Sequence, residues 1–332
     1  MDEIITLDYG SGGKKTSSLI DEIIVPALSN PALSELSDGA VLFGAEKLVF
    51  STDSFVVSPC FFPGGDIGKL AVCGTVNDVS VSGGIPKYLS LSFIIEEGFK
   101  TEDLRRIVKS VAETAARAGV TVVTGDTKVV ERGHGDGIYI NTSGIGFLEH
   151  PSLLPKNIRE GDVVILSGTS GDHGASILLA RNKNLLDGEI LSDCAPLNHL
   201  AESLYTLEGE LRVLRDPTRG GVATTLCEFV EDTDLSIELR ERDIPVKPEV
   251  RAACDMLGID HLYSANEGKL IAIVAPDAAE RALSIMKSTD EGRDAAVIGV
   301  VSSRRAGKVY VEGEFGSRIV SKLSGAQLPR IC

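Results

Sequence analysis

The chain has 332 residues, 43% apolar and 24% charged, long enough for two globular domains of ordinary size. It contains no Trp and only 5% aromatic residues, so its core is expected to be mostly Val, Ile, Leu and Ala. Its 33 basic and 48 acidic side chains give a net charge of −15. That excludes a non-specific nucleic-acid binder, which needs a basic surface, but not a nucleotide site built from a local cluster and metal ions.

Residues 47–57 (KLVFSTDSFVV) have strand composition. Residues 66–83 place Ile67, Leu70, Ala71 and Gly74 at helical spacing. A strand is predicted over 89–95. Thr101 is suited to N-cap the next helix, where Leu104, Ile107, Val108, Val111 and Ala115 form one apolar stripe that Gly119 ends. A short buried strand over 120–124, a loop over 125–137 and a strand over 138–148 follow. The polar, Pro-containing stretch 149–161 reads as a linker. Beyond it come a strand over 162–167, a Gly-rich turn, a helix from Ala175 and another from about Arg219. Strands are predicted over 235–239, 270–274 and 296–301. The tail after Leu323 has little periodicity and is expected to be mobile. The organisation is therefore a domain over 1–150, a second over 151–323 and a flexible tail over 324–332.

The six cysteines form no CxxC pair, so neither a zinc ribbon nor a thioredoxin-type motif is indicated, and a reducing compartment is the simplest home. The N-terminus MDEIITLDYG lacks the basic and apolar regions of a signal peptide, and no apolar run spans a bilayer. The chain is accordingly read as cytoplasmic.

Five constellations can carry chemistry. Gly10-Ser11-Gly12-Gly13-Lys14 is a turn whose backbone N–H groups could approach phosphate, with Lys14 adding charge. It has neither Walker A nor Rossmann spacing, and a plain flexible turn is an equal reading. Asp53, Asp66, Asp78 and Asp126 sit at strand ends or on a helix. Taken singly each could be a cap or turn residue. Taken together they point to a metal-bound nucleotide, because Mg²⁺ binds through a few carboxylates plus phosphate oxygens. Asp78, beside Asn77 in an otherwise small and apolar helix, needs a partner to offset the cost of burial. Lys128, Arg132 and His134 lie in the predicted loop. A Lys can anchor phosphate and a His can move protons near neutral pH, although a solvated loop is the better explanation of His134 alone.

In the second half, GTSGDHG (168–174), DPTRGG (216–221) and NEGK (266–269) each read as tight-turn chemistry or as an anion site at a helix start. Finally PRIC ends the chain in a thiol, Cys332. Pro329 stiffens this tail, and Arg330 partly offsets the terminal carboxylate that disfavours the thiolate. An incidental terminal Cys is the competing reading.

Taken in order, DYGSGGK, STDSFVV, GGDIGKLAVCGTVNDVSVSGG, TGDTKVV, DPTRGGVA, NEGK and terminal PRIC resemble the HypE family of hydrogenase maturation proteins, the carbamoyl dehydratases of the PurM-like ATP-binding superfamily. The resemblance covers essentially the whole chain, and its most specific element is PRIC. It implies an α+β fold of two domains. The N-terminal mixed sheet with helices would dimerise, and the C-terminal domain would be an α/β sandwich. It also implies ATP and Mg²⁺ as cofactors, the carbamoyltransferase HypF and an iron-carrying HypC–HypD complex as partners, and a homodimer.

The implied chemistry turns a carbamoyl group on Cys332 into a thiocyanate, the source of the cyanide ligand of a nickel–iron hydrogenase. On this reading Asp53, Asp78 and Asp126 hold the metal, and Gly12, Gly13, Lys14, Asp66, Asn77 and Arg219 assist the nucleotide. Lys128 contacts phosphate or developing charge, and Glu267, with His134 as the other candidate, removes amide protons. Two alternatives remain open at this point. One is a small-molecule kinase or ligase of the same superfamily. Among these, selenophosphate synthetase would be expected to carry Cys or selenocysteine in the Gly loop, where Ser11 stands. The other is a carrier that only presents Cys332 to partners.

Overall fold

The computed structural model describes all residues except 37–38, 151–152, 183–187, 324 and 326–329. The chain opens with α1 (Lys14–Leu19) and α2 (Val25–Leu28), joined through a π-turn at Ile20–Ile24. There follow β1 (Leu48–Phe55), a small ribbon of β2 (Phe61–Phe62) and β3 (Gly65–Asp66), α3 (Ile67–Val81) and β4 (Gly84–Glu96). α4 (Thr101–Ala118), β5 (Thr121–Val130) and β6 (Ile138–Leu148) complete this half.

The main sheet runs β1-β6-β4-β5, with β4 and β5 parallel and the other pairs antiparallel, so it is mixed as expected. Period-2 alternation sends Leu89, Leu91, Phe93 and Ile95 to one face, where they pack with α3 and α4. The other face is open: Leu48 is 51%, Phe50 66% and Ile94 45% exposed.

Two expectations need correction here. Thr101 is not the cap of α4. Lys100 holds that position in extended conformation, while the Thr101 hydroxyl donates to the Asp2 carbonyl at 2.7 Å. The residues read as the start of a loop, 125–130, are strand, because β4 pairs with them through Glu96↔Val130. Gly125 permits this close pairing, since a Cβ there would meet the Leu91 carbonyl oxygen at 2.1 Å.

The second half contains β7 (Val163–Leu166), α5 (Asp172–Arg181), α6 (Asn198–Tyr205), β8 (Leu211–Arg215), α7 (Gly221–Val230), β9 (Ser236–Arg240) and α8 (Pro248–Leu257). It ends with β10 (Ile271–Val274), α9 (Ala279–Lys287), β11 (Ala296–Ser302), β12 (Lys308–Gly313) and β13 (Gly316–Val320). The sheet order is β13-β12-β9-β11-β7-β10-β8. Both faces are covered: α7 packs on one through Val222, Leu226 and Phe229, and α6 and α9 on the other through Leu204 and Met286. This is the layered α/β domain anticipated.

The halves are bolted together through α3. The Asn77 side chain accepts from Leu197 N–H at 2.7 Å and donates to the carbonyls of Ala195 and Glu267 at 3.2 and 3.4 Å. One turn on, the Tyr205 hydroxyl donates to the Ser80 carbonyl. Asn77 is thus an inter-domain tie. Pro151 of the expected linker and Pro329 of the tail lie outside the described residues.

Candidate active site between the two domains

β1 projects Ser51, Asp53 and Phe55 inward over α3. The Asp53 carboxylate lies 3.9 Å from where a Cβ on Gly74 would stand, and Asp78 is one helical turn further along the same face. The Ser51 hydroxyl donates to Asp78 Oδ2 at 2.8 Å. Burial raises the pKa of both carboxyls, and for Asp78 the charge of Asp53 adds to the rise. From the other domain comes Asp216, buried and raised to about 7 by burial and then by the charge of Asp78. Arg219, three residues on, partly offsets Asp53 and Asp78.

The three glycine-rich motifs of the second half meet at one residue. Asn266 Oδ1 accepts from Gly171 N–H at 2.7 Å, and its Nδ2 donates to the Pro217 and Ser264 carbonyls at 3.1 and 3.3 Å. This junction presents Glu267, only 2% exposed, whose Oε1 has no hydrogen-bond partner. Its N–H donates to Asp193 Oδ1 at 3.1 Å, and its carbonyl accepts from Ala195 N–H at 3.3 Å. Gly268 has to be glycine, because a Cβ there would sit 1.8 Å from the Asp193 carbonyl oxygen. Burial first, then neighbouring Cys194 and Asp216, push the Glu267 carboxyl well above the usual range.

The chain's last residues reach this junction. The carbonyl of Cys332 accepts from Val56 N–H at 3.2 Å, that of Arg330 from Ser58 N–H at 3.2 Å, and that of Ile331 is bonded by His173 Nε2 at 2.6 Å. Ile331 is buried in the first domain's core, and Arg330 pairs with Asp136. Burial, then the charge of Glu267, raises the Cys332 thiol to about 12. The tail expected to be mobile is therefore held at Arg330–Cys332, with its thiol beside Glu267.

A single chain does not assemble the whole anticipated set. Asp53, Asp78, Arg219, Glu267 and Cys332 converge. Asp126 and Lys128 do not join them. They pair with each other at 2.7 Å, exposed, on the far edge strand β5. Edge-to-edge, three strand spacings of about 4.8 Å separate β1 from β5 by roughly 14 Å. The row Ser54–Asn141–Ser92–Asp126 also puts Asp126 on the open face, opposite to Asp53.

Among the described residues, no three His, Cys, Asp or Glu side chains are grouped to hold a metal ion. Asp66 caps α3, its Oδ1 accepting from Gly68 and Lys69 N–H at 2.8 and 3.0 Å. His134 is exposed in the 131–137 turn, and its ring makes no hydrogen bond to Glu267 or Cys332. Gly12 takes a left-handed φ of 79° and its N–H donates to Thr16, while Gly13 N-caps α1 and Lys14 stands exposed beside it. That turn borders a cleft of about 230 Å³ whose other wall includes Thr124, Asp126 and Lys128. Asp216 and His173 were not singled out from sequence. Their only signal was membership of the DPTRGG and GDHG turns.

Two α/β domains of this build, with a carboxylate-lined junction between them, define a chain of the AIR synthase class. Family models for the N-terminal and C-terminal domains of AIR synthase related proteins match residues 36–148 and 159–312. The chain belongs to the HypE carbamoyl dehydratase family. It is 48% identical to carbamoyl dehydratase HypE of Escherichia coli K12, covering 99% of both chains, and 48% identical to that of Azotobacter vinelandii, covering 99% and 97%. The solved structure of hydrogenase maturation protein HypE in complex with ATP superposes with a TM-score of 0.94 at 46% identity, covering 98% and 99%. A chain of a HypE–HypF complex superposes at 0.80 with 51% identity, covering 92% and 100%. Thiamine-monophosphate kinase from Stenotrophomonas maltophilia, at 0.67 and 18%, shares the fold alone.

Proposed function

We propose that this chain is an ATP-dependent carbamoyl dehydratase acting on a group carried by its own Cys332. The observation that carries the reading is the docking of the tail at Val56, Ser58 and His173, which leaves the Cys332 thiol within the electrostatic influence of Glu267, a buried carboxyl whose Oε1 lacks a partner. A carbamoyl group on the Cys332 sulfur would bring an amide –NH₂ to that acceptor. ATP phosphorylates the amide oxygen, and ADP leaves. One nitrogen proton is lost to solvent as the O-phosphorylated imidate S–C(=NH)–OPO₃ forms, and Glu267 takes the second as the C–O bond breaks and phosphate departs, leaving S–C≡N. A raised carboxyl pKa makes the ionised form a stronger base, which suits this step. His134 remains the second candidate for a proton-moving role, from its exposed turn.

Arg219 steadies phosphate, and the apolar cleft beside Gly12, Gly13 and Lys14 takes part of the nucleotide, with Asp126 and Lys128 on its other wall. Asp53 and Asp78 fit a hard divalent ion, because both half-buried carboxyls remain raised by burial although Arg219 partly offsets their charge. Mg²⁺ bound there would supply charge to the ATP phosphates. Asp66 and Asn77 support the site indirectly, as helix cap and domain tie.

The relatives' HypE–HypF complex supports HypF as carbamoyl donor. The HypC–HypD complex as cyanide acceptor and a homodimer formed through the open sheet face complete the reading. The domain boundary near 150 is supported by family matches that end at 148 and resume at 159. Six free cysteines and chemistry on a reduced thiol suit the cytoplasm.

Intact-protein mass spectrometry tests this. Incubation with a carbamoyl donor system should add one carbamoyl group, localised to Cys332, and ATP should then remove one water. The absence of an adduct on Cys332, or an adduct unchanged by ATP, would overturn the proposal.

A further inference from the structure

His173 was read from sequence only as part of a Gly-rich turn, and nothing in the chemistry above uses it. It is completely buried at the start of α5, edge-on to Phe62 with ring centroids 5.5 Å apart. Its two ring nitrogens face partners that demand different roles. Nε2 lies 2.6 Å from the Ile331 carbonyl, which can only accept, so Nε2 carries the proton. Nδ1 lies 2.8 Å from Ser192 Oγ, and burial lowers the ring's pKa, so Nδ1 is bare and accepts from the hydroxyl. The same Ser192 oxygen accepts from Cys194 N–H at 3.1 Å. The polarity of the relay is thus set throughout, from Cys194 N–H to Ser192, from Ser192 to His173, and from His173 to the Ile331 carbonyl.

The relay begins in the loop that also fixes Glu267. Asp193 accepts from Glu267 N–H, and Ala195 donates to the Glu267 carbonyl. Four consecutive residues therefore hold the backbone of Glu267 by one side and, through His173, the tail by the other. Other holds on Arg330–Cys332 come from the backbone at Val56 and Ser58, from Asp136, which pairs with the Arg330 side chain, and from Arg181, which donates to the Arg330 carbonyl. Among the described residues none of these holds is hydrogen-bonded to the loop that fixes Glu267, so His173 is what links the tail to that loop.

We propose that His173 is the positioning residue of the C-terminal tail: its Nε2–H grips the Ile331 carbonyl and, through Ser192, registers the sulfur of Cys332 against Glu267. The inference rests on the carbamoyl-dehydratase reading only for its consequence in turnover. The grip itself can be tested without any carbamoyl chemistry.

Two variants separate the hydrogen bond from the packing. His173→Phe keeps a ring against Phe62 but cannot donate. His173→Gln loses the ring but places an amide N–H near the Nε2 position. The first readout is the rate at which Cys332 is alkylated by a maleimide on the full-length protein, located by peptide mass spectrometry. The second is the single-turnover rate of ATP-driven water loss from the carbamoylated protein, together with its apparent KM for ATP.

Loss of one hydrogen bond to a buried carbonyl should raise the alkylation rate about tenfold in His173→Phe, while His173→Gln stays within about twofold of wild type. Water loss should slow in the Phe variant with KM for ATP unchanged, and recover in the Gln variant. A wild-type alkylation rate in His173→Phe would overturn the proposal, as would equal loosening in both variants, which would make the ring a packing element only. Should His173→Phe fail to fold, Ser192→Ala carries the test. It frees the tautomer and should loosen Cys332, and a wild-type rate there overturns the proposal. If wild-type protein alkylates slowly but never loses water, the dehydratase reading fails while the grip stands.

Discussion

Burying a carboxyl has opposite consequences for folding and for chemistry, and Asp216 shows both. Its pKa of about 7 in the fold compares with about 3.9 for an unfolded Asp. Between those values the folded state binds the proton and the unfolded state does not, so stability falls as pH rises through the window and the full cost is present above it. Asp216→Asn removes the titration. The variant is expected to melt above wild type at pH 8 and within a degree or so of it near pH 4, measured without nucleotide or divalent ion. A difference independent of pH would mean that Asp216 does not carry the burdened charge. The same logic applies to Glu267, where the disfavoured charge is what gives the ionised group its basicity. NEGK read alone was only tight-turn chemistry, and Glu267 entered the candidate set through the resemblance to the HypE family. Asp216 and His173 escaped because an Asp before Pro, or a His after Asp in a Gly turn, is ordinary turn composition. Their burial arises only when the turns meet on Asn266.

At the scale of elements, α3 joins the fold to the site. Its small residues let β1 and β6 lie close, and they bring Asp53 down beside Asp78. Gly74 makes this legible as energy. A Cβ there would approach the Phe55 ring at 2.8 and 2.9 Å. Gly→Ala in a helix gains about 1 kcal/mol of propensity, whereas overpacking a tight core costs about 1–3 kcal/mol, so Gly74→Ala is expected to lose about 1 kcal/mol in urea unfolding. It should also lower ATP turnover by shifting Asp53. Equal or greater stability would mean that the Phe55 ring yields. Where one apolar stripe decided an element, as in α4, the sequence was readable. Periodicity failed at α1 and α2, because the π-turn at Ile20–Ile24 shifts the stripe and Pro26 interrupts it. It failed at β5 because Gly125-Asp126-Thr127-Lys128 has loop composition, and only pairing with β4 makes it a strand. That failure mattered for the site, since a loop could have swung Asp126 toward Asp53 and a strand edge cannot.

For the molecule as a whole, the separation of Asp53 from Asp126 poses the question a second copy can answer. The two carboxylates lie on opposite faces and opposite edges of one sheet, yet the open face carries Leu48, Phe50 and Ile94 at roughly half exposure or more, an apolar patch suited to self-association. Two sheets packed by a two-fold axis can lay the β5 edge of one subunit against the β1 edge of the other, uniting Asp126 and Lys128 of one copy with Asp53 and Cys332 of its partner. A complementation experiment decides this. Asp53→Asn and Asp126→Asn homodimers should each be inactive in ATP hydrolysis. In a co-expressed heterodimer both substitutions then fall in one site, and the other site is wild type. With random pairing half the dimers are mixed and each has one intact site of two, so the mixture should recover roughly a quarter of wild-type activity. Phe50→Asp, which charges the patch, should give monomers by sedimentation and abolish the recovery. If the carboxylates act within one chain, the mixture stays inactive, because every chain then lacks one of the two.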